Sequence, residues 1–221
     1  MSDEFLSAVT QGDVAKVKEM LSADAGLANA KDQNGVSAIM KATYYRQPGV
    51  VNVLLDAGME LNIFDAAATG QIERVRALLR QDPALVKAFS VDGFSALSLS
   101  TFFGHRETAA ALLEAGADVN LASKEAMKVT PLHSAAASRQ SDIARLLIEH
   151  GADVNARQVE SGFTPLHEAA ANGDMEFARL LLEHGANVDA EMNDGKTPLG
   201  FALERKQDSM AELLRARGAK K

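Results

Sequence analysis

Thr164-Pro165-Leu166-His167-Glu168-Ala169-Ala170, running on through Leu180-Leu181-Leu182 to Gly185-Ala186, decides how this chain folds. Each residue type in the stretch has a local reason to be there. The Thr164 hydroxyl can cap a helix start, and Pro165 suits the first helical position, where no N–H is needed. Leu166, Ala169 and Ala170 form a flat apolar face on which another helix can sit closely. Gly173 permits the left-handed turn that ends a first helix. Phe177, Leu180 and Leu181 make the stripe of a second helix, and Gly185 ends it.

The stretch returns on both sides. Thr130-Pro131-Leu132-His133-Ser134-Ala135-Ala136 leads to Gly151-Ala152-Asp153-Val154-Asn155, and Thr197-Pro198-Leu199-Gly200-Phe201-Ala202 leads to Gly218-Ala219. The closing glycines stand at 116, 151, 185 and 218, spaced by 35, 34 and 33. A unit of about 33 residues carrying T-P-L-H-x-A is the signature of ankyrin repeats. The chain therefore resembles the ankyrin-repeat family over nearly its whole length, and looks like the stand-alone bacterial ankyrin-repeat proteins. The resemblance implies an all-α fold: an elongated, right-handed solenoid of seven stacked helix pairs with short β-turn fingers. It also implies a non-catalytic scaffold for protein–protein interaction that binds its partner on the concave face. The alternative from another class is a structural protein that self-assembles through end units or concave apolar patches. The expected form is a monomer.

One continuous domain is expected over 1–221, with a capping repeat at 1–31 and repeats at 32–62, 63–89, 90–122, 123–157 and 158–190. A polar capping repeat closes the chain at 191–221. The unit at 63–89 is abnormal. Gly70 follows Gly58 by 12 residues, whereas Gly173 follows Gly151 by 22, so this unit should lack its finger. A shift of 58 residues overlays the first two units on the next two: Gly12 on Gly70, Leu21 on Leu79, Gly35 on Gly93, Gly58 on Gly116. A duplicated two-unit module explains the fingerless unit as a copied N-terminal cap. The loop from Ser123 to Val129 is longer than the family norm by about two residues.

Charge and composition narrow the function classes. The net charge of −7 is divided as −3, −2 and −2 over 1–62, 63–120 and 121–221, leaving no basic stripe for nucleic acid. Lys220 and Lys221 read as a solvated tail beyond the last helix. No apolar run is long enough for a membrane span, and Met1-Ser2-Asp3-Glu4 lacks the basic start of a signal peptide. There are no cysteines, so cytoplasm is the expected location. No cofactor or metal is expected: no histidine pair has ligand spacing on one helix, and no G-x-S-x-G, P-loop or H-E-x-x-H occurs. His133 and His167 hold the motif's histidine position, where the resemblance implies hydrogen bonds tying finger to helix. Asp153-Val154-Asn155-Ala156 resembles the asparagine-hydroxylation motif of some ankyrin proteins; the plainer reading is an Asn satisfying turn backbone. Arg139 stands where other units have Gly70, Gly104 and Gly173, so a left-handed turn there should carry strain.

The aromatic residues point to a partner site. Tyr44-Tyr45 and Phe102-Phe103 are equivalent under the shift of 58 and fall late in first helices. Val36, Phe94, Val129 and Phe163 each precede a capping Ser or Thr, at the finger position. The eight together predict an apolar patch for a protein partner, placed in a notch between the fingers of Gly35 and Gly93. Two readings of the rings stand: interface anchors, or packing that fills the space of the missing finger.

Overall fold

Fourteen α-helices in seven consecutive pairs make up the computed structural model of the chain, which describes residues 1–220; Lys221 lies outside the described residues. The pairs are α1 (Ser2–Gln11) with α2 (Val14–Ala23), α3 (Ala38–Tyr44) with α4 (Pro48–Asp56), and α5 (Ile63–Ala68) with α6 (Ile72–Gln81). Then come α7 (Ala96–Phe102) with α8 (Arg106–Glu114), α9 (Pro131–Ser138) with α10 (Ser141–Glu149), α11 (Pro165–Asn172) with α12 (Met175–Glu183), and α13 (Pro198–Glu204) with α14 (Asp208–Ala216). Each first helix packs on the next first helix, in one row from α1 to α13. Among the second helices α2 packs on α4, and α6, α8, α10 and α12 pack in succession. The fold is the helix-pair solenoid expected from the repeat.

A side-chain cap starts each first helix after α1. Ser37 Oγ accepts from the Met40 N–H, Ser95 Oγ from Ser98, and Thr197 Oγ1 from Gly200. Helices this short are marginal alone, and burial holds them. Alanines and leucines from Phe5 to Leu214 form one continuous apolar seam between neighbours, with no central core.

Fingers precede most first helices. Backbone bonds close turns at 32–36, 90–94, 123–129, 158–163 and 192–196. Single antiparallel bridges, Lys31 to Ser37 and Phe89 to Ser95, flank the first two. The last four fingers are joined edge to edge: the Lys124 N–H donates to Gly93 O, Val159 to Met127 O, and Asn193 to Ser161 O.

Between α4 and α5 the chain has only residues 57–62 and makes no finger. Met59 and Leu61 are buried there, and Asn62 caps α5 by accepting from the Phe64 and Asp65 N–H groups. The shift of 58 holds in three dimensions. It carries α2, α3 and α4 onto α6, α7 and α8 end for end, and the 3-10 turn Ala25–Asn29 onto Pro83–Lys87. Only the first helix differs, because α5 has lost the turn that α1 starts with.

Candidate functional site

The finger side of the first helices carries a groove of about 520 Å³. Its floor is α7 and α9, presenting Leu99, Phe102 and Ala137. Phe94, Val129 and Phe163 contribute from three successive fingers, and Tyr44 closes one end. Met127, 46% exposed, stands on the outer wall. The two additional residues in the 123–129 finger place it there, and its carbonyl accepts from Val159 N–H. Apolar and aromatic walls with a few polar groups set this groove apart from a solvated helix face.

Five of the eight predicted residues, Tyr44, Phe94, Phe102, Val129 and Phe163, line this groove. The other three do not. Val36 and Phe103 pack with Phe64 and Phe94 on a small buried cluster of Met40, Ala68 and Leu99. The Phe103 ring lies 5.7 Å from Tyr44 and 5.2 Å from Phe102. Tyr45, 59% exposed, faces a separate shallow hollow beside Thr10 and Lys41.

The notch expected between the Gly35 and Gly93 fingers is closed. A Val91 methyl comes within 3.5 Å of where a Cβ on Gly35 would stand. The Tyr44 hydroxyl donates to Asp92 Oδ2 in the second finger, and Ser90 donates to the same carboxylate. Burial, then the Asp92 hydrogen bond and charge, push the Tyr44 hydroxyl far above the usual phenol range, so it stays a donor. The absent finger is thus replaced by a tyrosine strut, and the groove opens one unit further along.

Two histidines support the groove. Nδ1 of His133 accepts from the Thr130 hydroxyl (2.8 Å), while Nε2 meets Phe163 O at 3.2 Å and must donate to it. His167 repeats this with Thr164 and Lys196 O. Phe163 stacks on His167 at 5.4 Å. Burial, the main cause, lowers the pKa of both rings, His167 to about 4. They are neutral braces: His133 fixes the finger carrying Phe163, and His167 fixes the next finger at Lys196 while its ring stacks on Phe163. His150 and His184 each donate from Nδ1 to the carbonyl four residues back, Leu146 and Leu180. No group of three metal-binding side chains occurs among the described residues. No helix among them is long and apolar enough to cross a membrane.

Sequence reasoning missed Met127, Leu99, Ala137 and the acids Glu125 and Glu168 that line the groove's edge. The longer loop at 123–129 was the available signal.

Comparison with known proteins agrees with this architecture. The family described as Ankyrin repeats (3 copies) matches residues 63–158 and 156–221. The ankyrin repeat protein YahD of Escherichia coli K12 is 30% identical over 98% of this chain and 96% of its own length. The ankyrin repeat domain-containing protein SAT10 of Stachybotrys chartarum is 28% identical over 68% of the chain, but only 8% of its own length. The serine/threonine-protein kinase VIK of Arabidopsis thaliana is 39% identical over 39% of the chain and 18% of its own length.

Proposed function

The chain belongs to the ankyrin-repeat family, and from that premise we propose that it is a non-catalytic interaction module whose concave face takes a partner protein in the Tyr44–Phe163 groove. The observation that carries the reading is the exposure of large apolar side chains around one cavity: Tyr44 at 37%, Phe102 at 38% and Met127 at 46%. Rings at the edge of a groove offer large contact area at low rotamer cost, as interface anchors do. Action in the cytoplasm as a monomer completes the proposal, since a chain without cysteine needs no oxidising compartment.

Site-specific photocrosslinking in the native cell tests it. A benzophenone amino acid replaces Phe102 in one variant and Arg145, exposed on α10, in another. The reading expects a distinct protein adduct from position 102 and none from 145. Adducts only at 145 would move the interface to the second helices. Adducts joining two copies of the chain would favour self-assembly.

A further inference from the structure

The groove's charged groups are all of one sign. Glu125 and Glu168 line it, and Asp92 lies at its Tyr44 end. Each carboxylate is oriented by neutral donors: Ser123 on Glu125, Asn172 on Glu168, Tyr44 and Ser90 on Asp92. Neutral donors orient a carboxylate without cancelling its charge. No Lys or Arg lines the cavity, and none of the ion pairs among the described residues involves these three acids. Two lysines of the 123–129 finger are engaged elsewhere, while the Arg157 guanidinium stands against Gly162 of the next finger, outside the lining. Lys124 lies over the Phe89 ring at 4.5 Å, and Lys128 Nζ reaches the Lys124 carbonyl. Lys196, further along, is paired with Glu204 and lies over Phe201.

We infer that the occupant is a basic-flanked apolar segment of a partner protein: apolar side chains between Phe102 and Met127, with Lys or Arg beside them meeting Glu125, Glu168 and Asp92. This rests on the interaction reading above and adds the partner's chemistry to it. Charges of one sign around low-dielectric walls raise the local concentration of the opposite sign and speed encounter. They also reject acidic segments, because an acid beside Glu125 or Glu168 would have no counter-charge.

The test is selection of random displayed peptides on the immobilised full chain, followed by titration of the winners by fluorescence polarisation. Ala137 is exposed in the groove, so Ala137→Tyr fills it without burying anything new. Glu125→Gln with Glu168→Gln removes the charge and keeps the shape. The inference expects winners in which Lys or Arg neighbours apolar residues. Ala137→Tyr should abolish their binding, and the double Gln variant should weaken it about tenfold, the difference shrinking at high salt. Winners that are neutral or acidic, yet lose binding in Ala137→Tyr, leave the groove as the site and overturn its charge preference. Winners that bind Ala137→Tyr unchanged overturn the groove itself. A selection without winners counts against both. A concentration-dependent dimer that Ala137→Tyr dissolves would assign the groove to a second copy and overturn the basic partner.

Discussion

Burial keeps His167 neutral, and its neighbours leave the neutral ring one tautomer. Nδ1 receives the Thr164 hydroxyl, so a proton there would face another donor, and Nε2 must donate to Lys196 O. The folded pKa of about 4 lies below the ordinary 6.5. Protons therefore bind the unfolded chain first as pH falls, and the stabilisation present above 6.5 is lost on the way down to 4. His133 and His105, both lowered chiefly by burial, add in the same direction. Melting temperature should drop steadily between pH 7 and 5, with His167 alone contributing on the order of 2 kcal/mol after screening. A flat profile between 6.5 and 5, where few carboxylates titrate, would show that the rings are protonated in the fold.

Arg139 has φ 57, the left-handed turn expected from its register, and Arg46 and Lys206 take the same conformation unforeseen. Where glycine holds this position a longer side chain from the next unit covers it: His105 on Gly70, Gln140 on Gly104, Gln207 on Gly173. Where Arg139 holds it, the residue at the covering position is the shorter Asp174, and Arg139 donates to Asn172 O. Arg139→Gly should stabilise by about 0.5 kcal/mol, strain relief less one exposed hydrogen bond. Gly70→Ala should cost about 2 kcal/mol, since its Cβ would sit 2.5 Å from His105 Nδ1 in a strained backbone. Thermal melts of the two variants check both signs.

At the scale of elements, the shift of 58 pairs rings late in α3 and α7 that have unequal surroundings. Phe103 has a preceding unit with rings of its own, and packs beside Tyr44 and Phe64. Tyr45 has only the cap helix α1 before it and stays open. Phe103→Ala should therefore cost about 2 kcal/mol, while Tyr45→Ala and Phe102→Ala should each stay below about 1. Denaturant melts decide; equal losses at all three would make the rings one packed cluster. The repeat, its pairs and the fingerless stretch were legible because T-P-L-H and the closing glycines are local signals with fixed spacing. The groove was legible in five residues only. Its position depends on how fingers lean: Val91 reaching Gly35 and Tyr44 reaching Asp92 are contacts across 56 and 48 residues that no local pattern encodes.

The whole molecule has one weak joint. The joints from α1 to α3 and from α5 to α11 are tied by both helix rows, and from the 90–94 finger onward neighbouring units are also tied by finger-to-finger bonds. The α3/α5 joint lacks a finger from its second unit and relies on the buried Ser37–Asp65 bond (2.6 Å) and the Tyr44 strut. In a one-dimensional array, unfolding follows the weakest neighbour interface. Amide exchange should therefore release 1–56 as a unit before 63–220, and Tyr44→Phe should widen the difference. Uniform exchange along the chain would mean that the joint is as strong as the rest.

The claim that the Tyr44–Phe163 groove is the binding surface is tested most directly by methyl spectra of the eight methionines, recorded while a selected Lys-flanked peptide is titrated in. Met127 on the groove wall should shift first and furthest, while Met20 in α2 and Met210 in α14 stay unchanged. A silent Met127, with shifts confined to the second helices, would contradict the account.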